Sequence, residues 1–271
     1  MNVSALYTYP IKSCAVLSHT RISLAARGLH DDRRWMVVNE DGKLVTQRDV
    51  SKMALVQPFY TDEGLSISAP TMSDIAIPPI AENATTRRVM VWNDTCDAFD
   101  QGDEIAAWLS DYLGKSVRLV KIAETDTRTT PTDGNMPIAP MSFADEYPIL
   151  LANERSLADL NDRLMAHEKD TVLMSRFRPN VVVSGSTAWD EDQWTQINIG
   201  GITFDSGVGC ARCVMTTVEQ ESGTVPDHHE PLATLTTLLK ISRGVMFGQN
   251  IIHRTLGDLC VGDSVEVLAR R

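Results

Sequence analysis

The sequence has little of several features that identify common classes of protein. Its 271 residues contain only five cysteines, at scattered positions, which is not the pattern of a secreted disulfide framework. No apolar run approaches the roughly 20 residues that a membrane-spanning helix needs. The N-terminus has no basic segment followed by an apolar one, so we expect no secretory signal and a reducing, cytoplasmic location.

Positive charge is also scarce. The chain has 36 acidic and 25 basic residues, which gives a formal net charge of −11 at pH 7. This balance argues against a nucleic-acid backbone or an anionic membrane as the main partner. It leaves room for a local basic pocket that binds a small anion.

The hydrophobic patterns that are present predict a mixed α+β, β-rich chain. Residues 3–9 partly alternate as a strand, and glycines at the turns 39–42 and 62–64 indicate two hairpins. The strands expected in these hairpins are 35–38, 43–46, 54–56 and 65–67. Helices are predicted over 101–114, with Gly114 as the stop, over 153–164, with Asn153 as the N-cap, and over 232–241. Short strands with regular turns favour a barrel or a sandwich.

The second half of the chain carries further local signals. Residues 125–140 are rich in Thr, Pro, Asp and Gly, which predicts a loop between two halves. Pro179 favours an extended conformation for Arg178 ahead of an apolar strand. Residues 190–192 are expected in an acidic surface loop, and the glycine pair at 200–201 predicts a tight hairpin.

The most distinctive stretch is GVGCARCVMTTV, at residues 207–218. Two glycines precede Cys210, Arg212 lies between Cys210 and Cys213, and the β-branched run that follows predicts a strand. Such a cysteine pair can form a redox disulfide, half of a zinc site or a ligand for a soft metal. Two buried structural thiols are a fourth, simpler interpretation.

The residues themselves weaken two of these interpretations. A zinc site needs a second pair of ligands at suitable spacing, and His228 and His229 are adjacent. A thioredoxin-type pair lies at the N-terminus of a helix, whereas the residues after Cys213 favour a strand. Structural thiols and a soft-metal thiolate remain open.

A soft metal such as molybdenum would accept one cysteine thiolate. It would arrive on an organic cofactor that carries a phosphate, so the protein would need cationic and hydroxyl groups elsewhere. Three loops that each lead into a strand supply them, through Lys12, Ser13, Arg33, Arg178 and Asn180. The alternative for each loop is a solvated turn.

Several motifs, in order along the chain, resemble those of the MOSC-domain family. The matching stretches are YPIKSC at 9–14 (family pattern YPxKSC), DRRW at 32–35 (DRxW), FRPN at 177–180 and CARCVMTTVEQESG at 210–223 (CxRCxxTTVDxxTG). The agreement extends from Val3 to about Leu268. By pattern, the chain is most similar to the mitochondrial amidoxime reducing components and their bacterial counterparts.

The resemblance implies a two-domain architecture. It predicts a MOSC N-terminal β-barrel-like domain at 1–95, a helix and connecting segment at 96–140, and a MOSC β-barrel with peripheral helices at 141–271.

The resemblance also implies a molybdenum cofactor, with molybdenum on a single pyranopterin dithiolene. Cys213 would be the thiolate ligand of the metal and the catalytic residue, and Cys210 a neighbour that does not bind it. The residues expected to contact the cofactor are Lys12, Ser13, Arg33, Asp145, Arg178, Asn180, Ala211, Arg212 and Asn250.

The activity implied by the resemblance is reductive removal of oxygen from N-hydroxylated compounds such as amidoximes and hydroxylamines, a detoxification reaction. Cys260 is the only cysteine after Cys213, too few for a four-cysteine iron–sulfur cluster. We therefore expect electrons from a separate ferredoxin, flavodoxin or reductase. The competing hypothesis is a carrier of sulfur or cofactor with a persulfide on Cys213.

Overall fold

The computed structural model is rich in strands and describes residues 1–81, 84–132, 136–238, 240–241 and 244–271. Its strands, in chain order, are β1 (Asn2–Thr8), β2 (Leu17–His19), β3 (Arg21–Ala25), β4 (Gly28–Leu29), β5 (Trp35–Val38), β6 (Gln57–Thr61), β7 (Gly64–Ser68), β8 (Ile75–Ala76), β9 (Thr86–Val91), β10 (Asp94–Asp100), β11 (Arg118–Ile122), β12 (Ile149–Asn153), β13 (Val181–Ser184), β14 (Trp194–Ile199), β15 (Ile202–Ala211), β16 (Lys240–Ile241), β17 (Gly244–His253), β18 (Asp258–Cys260) and β19 (Val265–Arg270). Its α-helices are α1 (Asp103–Leu113), α2 (Glu154–Ala166) and α3 (Leu232–Leu238). The predicted mixed, β-rich class is confirmed.

The largest sheet joins both ends of the chain. Its strand order is β19-β14-β15-β17-β12-β13-β1-β2, and β16 pairs with β17. Val265 N donates to Met1 O and Val3 N donates to Asp263 O, so the beginning of β19 meets β1. The sheet thus closes into a barrel, and apolar side chains such as Phe204 fill its core.

A helical crossover connects two parallel strands of this barrel, β12 and β13. The side chain of Asn153 caps the helix α2, because its Oδ1 accepts a hydrogen bond from Arg155 N at 3.0 Å. Leu160 and Leu164 are fully buried on the inner face of α2. The helix predicted over 153–164 is confirmed, and the crossover delivers the loop 176–180 to the beginning of β13.

A second sheet, of order β5-β11-β10-β9, forms the other main body of the chain. Helix α1 packs against it through Ile105 and Leu109, and ends at Gly114, whose φ of 67° is left-handed as expected for a glycine stop. The domain division at residues 95 and 140 stays a prediction. Within the described residues, no helix has both the length and the apolar character needed to span a membrane.

The loop after β1 connects the two bodies. Lys12 N donates to Trp35 O at 2.8 Å, Trp35 N donates to Pro10 O at 3.0 Å, and Arg33 N donates to Tyr9 O at 2.9 Å. These backbone bonds hold the YPIKSC and DRRW segments side by side at the junction, which places Lys12 and Arg33 near one another.

Two predicted elements are wrong in detail. Residues 54–56 were expected in a strand, but Ser51–Leu55 forms a 3₁₀-helix and the strand is β6. Met53 and Ala54 are both buried, so a tight turn rather than alternation places them in the core. The helix expected over 232–241 ends at Leu238, and 240–241 pair with β17 instead; residue 239 lies outside the described residues.

The segment 190–192 is not simply an acidic surface loop. It lies in a 3₁₀-helix, and the Glu191 side chain is 0% exposed. Its carboxylate accepts hydrogen bonds from Ser156 Oγ at 2.6 Å and Asn153 Nδ2 at 2.9 Å. These partners, separated from Glu191 by more than 30 residues, explain why local composition did not reveal its burial.

Candidate functional site

A cavity of about 370 Å³ lies where the two bodies of the protein meet. Residues from both bodies line it. All of the site residues predicted from the sequence are among them: Lys12, Ser13, Arg33, Asp145, Arg178, Asn180, Ala211, Arg212, Cys213 and Asn250. The structure therefore brings into one site side chains that are up to 238 residues apart in the chain.

The basic end of the cavity is built on a buried tyrosine. The guanidinium carbons of Arg33 and Arg178 lie 4.4 and 4.1 Å from the centroid of the Tyr9 ring. The Tyr9 hydroxyl donates to Pro179 O at 3.1 Å, and burial raises the pKa of that hydroxyl. The ring thus holds two cations next to one another, which is a favourable arrangement for binding an anion.

The backbone at this end adopts conformations that side chains rarely accept. Ser13, Arg33 and Arg178 have φ values of 66°, 48° and 54°. The expectation that Arg178 is extended is wrong, because its N–H donates to Ser175 O and closes a left-handed stop after the 3₁₀-helix Met174–Phe177. Left-handed non-glycine residues cost free energy and cluster at functional sites.

Three buried donors in the lining have no hydrogen-bond partner within the part of the chain that the structure describes: Ser13 Oγ, Arg178 Nη2 and Arg212 Nε. Buried polar groups are nearly always hydrogen-bonded, and leaving one unpaired costs about 1–3 kcal/mol. An anionic or polar ligand in the cavity would supply the missing acceptors. The lining therefore fits a cofactor that carries a phosphate.

Lys12 lies almost buried beside an acidic partner. Its Nζ donates to Phe143 O at 2.7 Å and to Asp145 Oδ1 at 2.5 Å. Burial lowers the pKa of Lys12, against the opposing effect of Asp145. Partial loss of water contact at the cavity opposes ionisation of Asp145, but Lys12 and the Trp92 N–H outweigh this effect and hold the pKa of the carboxyl well below its usual range. Asp145 remains 59% exposed, so it is an ionised acceptor at the cavity rim.

Asn180 positions other groups of the site. Its Oδ1 accepts hydrogen bonds from Arg33 Nη1 at 2.8 Å and Leu150 N at 3.0 Å, and its Nδ2 donates to Tyr7 O at 3.1 Å. The side chain is fully buried. Asn180 thus cross-links three segments and orients Arg33. Burial opposes the charge of Arg33, but the neighbouring Asp32 carboxylate raises the pKa above its ordinary value.

The two cysteines line the other end of the cavity, both as half-buried free thiols. Arg212 Nη1 donates to Cys210 Sγ at 2.9 Å, and Arg48 Nη2 donates to Cys213 Sγ at 2.8 Å. Burial raises the pKa of the Cys210 thiol, which favours its neutral form. Arg212 also donates to Phe177 O at 2.8 Å, which ties the cysteine segment to the loop 176–180.

The prediction of a strand directly after Cys213 is wrong. Val214–Thr217 forms a 3₁₀-helix, whereas the strand β15 contains Cys210 and ends at Ala211, before Cys213. Thr216 Oγ1 donates to Cys213 O at 2.9 Å and Thr217 Oγ1 donates to Val214 O at 2.8 Å. These local hydroxyl bonds stabilise a turn that the β-propensity of threonine does not predict.

Ala211 and Asn250 complete the predicted set on adjacent strands. Ala211 ends β15, opposite Met246 of β17, and its side chain is exposed. Asn250 of β17 is nearly buried, and its Nδ2 donates a long hydrogen bond of 3.5 Å to Gly209 O. The pairing register of β15 with β17 shifts between Gly209 and Ala211, next to the cysteines.

The charge of the lining is opposite to that of the protein. Six lining residues are basic and two are acidic, in a chain of net charge −11. Sequence reasoning missed three of the basic or aromatic ones, Arg48, Trp92 and Arg176. Arg176 belongs to the cationic loop that was recognised. Arg48 follows the hairpin predicted around residues 39–42, and Trp92 lies in a stretch for which no element was predicted. Among the described residues, no group of three or more His, Cys, Asp or Glu side chains could hold a metal ion.

Comparisons with known proteins agree with the motifs. Residues 1–116 match the MOSC N-terminal beta barrel domain and residues 139–266 match the MOSC domain. Mitochondrial amidoxime reducing component 2 of Bos taurus is 34% identical over 285 residues, which cover 97% of this chain and 82% of the relative. Mitochondrial amidoxime-reducing component 1 of Homo sapiens is 31% identical, with 99% and 83% covered.

Molybdenum cofactor sulfurase of Arabidopsis thaliana is 31% identical over 91% of this chain but only 32% of that much longer relative. The full-length similarity is thus to the amidoxime reducing components. The chain belongs to the MOSC-domain family that includes the mitochondrial amidoxime reducing components.

Proposed function

We propose that this protein is a molybdenum-cofactor-dependent reductase that removes oxygen from N-hydroxylated compounds, such as amidoximes and hydroxylamines. The observation that carries the proposal is the composition of the cavity. The same cavity presents Cys213, a soft thiol ligand, and buried cationic and hydroxyl donors that have no hydrogen-bond partner among the described residues. This pairing suits a thiophilic metal on a phosphate-bearing organic cofactor.

The residues that would hold the cofactor divide by chemistry. Lys12, Ser13, Arg33 and Arg178 would bind its phosphate, since they supply three cations and a hydroxyl at the basic end. Arg212, Asn180, Asn250, Asp145 and the backbone at Ala211 would contact its remaining polar groups. Cys213 would be the protein ligand of molybdenum.

The cofactor, when bound, supplies a metal that accepts the oxygen atom of an N–O group while it donates two electrons. The net reaction consumes two electrons and two protons, and converts the N–OH group to N–H and water. The chain contributes binding and orientation. Asp145 stays ionised at neutral pH, because its pKa is low, so it accepts hydrogen bonds and does not deliver the protons.

Electrons would come from a separate protein, a ferredoxin, flavodoxin or reductase, as part of the same proposal. The three cysteines other than Cys210 and Cys213 are dispersed, and Cys14 and Cys96 are buried in cores. Turnover by pure molybdenum-loaded protein with NADH alone would contradict a separate donor. We further propose that the reaction takes place in the cytoplasm and serves detoxification.

The test is a screen of amidoximes and hydroxylamines with molybdenum-loaded protein and an artificial electron donor. We expect formation of the corresponding amidine or amine, dependent on both molybdenum and Cys213. Cys210→Ser is the matched control, since that thiol lies in the same cavity but bonds to a different arginine. Fully loaded protein that reduces no compound of the panel would contradict the proposed activity.

A second candidate is a sulfur or cofactor carrier with a persulfide on Cys213, which the similarity to molybdenum cofactor sulfurase favours. Metal analysis and persulfide detection on freshly purified protein separate the two. The reductase predicts tightly bound, stoichiometric molybdenum. The carrier predicts metal-free protein with a persulfide at Cys213.

A further inference from the structure

Arg48 and Trp92 both line the cavity, and neither has a part in the cofactor contacts described above. Arg48 Nη2 donates to Cys213 Sγ at 2.8 Å, and its guanidinium carbon lies 4.6 Å from the centroid of the Trp92 ring. Trp92 Nε1 in turn donates to Asp145 Oδ1 at 2.9 Å. A continuous set of contacts thus runs from the sulfur of Cys213 to the rim of the basic end.

The backbone at Trp92 is unusual for its residue type. Val91 and Asp94 are paired in register across β9 and β10, so Trp92 and Asn93 form a two-residue hairpin turn. Trp92 has a φ of 55°, in the left-handed region where such turns prefer Asn, Asp or Gly. A bulky aromatic residue there is a true conformational outlier, and its side chain is 42% exposed. Neither turn formation nor core packing therefore explains the tryptophan.

The backbone at Arg48 is fixed by its own segment, although the residue is exposed. Arg48 N donates to Thr46 Oγ1 at 3.2 Å, and Thr46 N donates to Asp49 Oδ2 at 2.9 Å, which closes a tight turn. The preceding residue, Gln47, is buried and donates to Ser13 O at 2.9 Å. The turn that carries Arg48 is thus fixed to the loop that carries Ser13.

We propose that Arg48 is a positioning residue for the Cys213 sulfur, and that Trp92 holds Arg48 in place. The inference rests on the proposed function, because it assigns Arg48 a role toward a metal-bound thiolate. A charged N–H donor withdraws electron density from such a sulfur and fixes its direction. Hydrogen bonds to ligand sulfurs are a general means by which proteins tune a metal centre.

The N-terminal body would then serve both ends of the cofactor. Lys12, Ser13 and Arg33 act at the phosphate, and Arg48 with Trp92 acts at the metal ligand, which itself belongs to the other body. Stacking of the planar guanidinium on the indole explains why an arginine suits this position better than a lysine.

The test compares Arg48→Gln and Trp92→Asn with wild type, all loaded with molybdenum. Asparagine suits the left-handed turn position, so Trp92→Asn is expected to fold. The matched control is Arg88→Gln, which removes an exposed arginine of β9 that does not line the cavity. The readouts are molybdenum content, the sulfur-to-molybdenum absorption band, the reduction potential of the metal, and kcat and KM separately.

We expect both variants to keep their molybdenum and to shift the absorption band to longer wavelength, because the sulfur becomes a stronger donor. The potential should fall for the same reason, and kcat should fall about 10-fold with little change in KM. Arg88→Gln should match wild type in every readout.

Loaded Arg48→Gln with an unchanged band and potential would overturn this inference and leave the proposed function intact. A changed absorption band and potential in Arg48→Gln, together with wild-type values in Trp92→Asn, would overturn the role of Trp92. Wild-type protein that binds no molybdenum would overturn the proposed function and, with it, this inference.

Discussion

Replacing Arg178 with methionine should stabilise the cofactor-free protein while it weakens anion binding. Arg178 is 8% exposed. Among the described residues, its Nη2 has no partner, and its side chain forms one hydrogen bond, from Nη1 to Gln220 Oε1 at 3.1 Å. Burial lowers the pKa of Arg178 to about 10, with a further contribution from Arg33. The buried charge therefore destabilises the fold, and we expect it to be stabilised by a bound anion.

The magnitude follows from linkage. A pKa lower in the folded than in the unfolded chain means that the charged form destabilises the fold, fully so at every pH below about 10. A pKa lowered by two to three units corresponds to roughly 3 kcal/mol. Methionine gives up the stacking of the guanidinium on Tyr9, worth about 1 kcal/mol, while Gln220 Oε1 still accepts from Gln47 Nε2. We expect a net gain of about 1–2 kcal/mol in the free energy of unfolding.

The assay is urea unfolding of cofactor-free protein at pH 7, with and without inorganic phosphate. Phosphate should stabilise wild type, and its affinity should fall roughly 10- to 100-fold in Arg178→Met, as expected for one charged hydrogen bond. Arg128→Met is the matched control. Arg128 is equally buried, but it donates to Ser142 O, Ala144 O and Asp94 Oδ2, so its loss should cost at least about 2 kcal/mol.

The reasoning is refuted if Arg178→Met loses stability to the same extent as Arg128→Met. It is equally refuted if the variant binds phosphate as tightly as wild type does, because Arg178 would then be a structural residue.

Three further predictions concern the cysteine pair, the Ser13 hydroxyl and the buried Glu191. Cys213→Ser should abolish N-reduction while it largely preserves the fold and the pterin content. Cys210→Ser should lower the reductase activity only slightly. Equal losses of activity in the two variants would indicate dithiol chemistry instead. Ser13→Ala should alter the unfolding free energy of cofactor-free protein by less than about 0.5 kcal/mol, because Ser13 Oγ has no partner among the described residues. The same variant should bind phosphate about 5-fold more weakly in titration calorimetry. A large loss of stability would show that the hydroxyl has a structural partner. Burial raises the pKa of Glu191 despite its hydrogen bonds, so the stability that it contributes is present at low pH and lost as pH rises through its folded pKa. In urea unfolding from about pH 4 to 7, the free energy of unfolding of Glu191→Gln should decline less with rising pH than that of wild type. Identical pH dependence in the two proteins would refute this prediction.

Much of the fold could be predicted because its signals are local. The Gly200–Gly201 turn, the Asn153 cap and the Gly114 stop each depend on a few adjacent residues, and each is present as expected. The closure of the barrel could not be predicted this way. It depends on hydrogen bonds between Met1–Val3 and residues 263–265, which no local pattern encodes.

The cationic residues of the site could be named in advance because they lie in motifs. Their mutual arrangement could not, because it depends on Tyr9, which stacks with both arginines from a different part of the chain. The left-handed backbone of Arg178 was missed for a related reason. Its tertiary contacts with Tyr9 outweigh the local preference for an extended residue before proline.

Arg48 is the site residue that the sequence was least able to reveal. In the sequence it follows a predicted hairpin and is indistinguishable from a solvated surface arginine. In the folded chain, Arg48 Nη2 contacts Cys213, a residue 165 positions away. Contacts of this kind require the coordinates, since neither charge nor periodicity near Arg48 indicates its partner.

The central claim is that Cys213 binds molybdenum in this cavity. X-ray absorption at the molybdenum edge, on loaded wild-type protein and Cys213→Ser, tests it most directly. The account predicts that the wild-type metal has the two dithiolene sulfurs and one further sulfur as ligands, and that Cys213→Ser loses the third. Identical sulfur coordination in the two proteins, or wild-type protein without molybdenum, would contradict it.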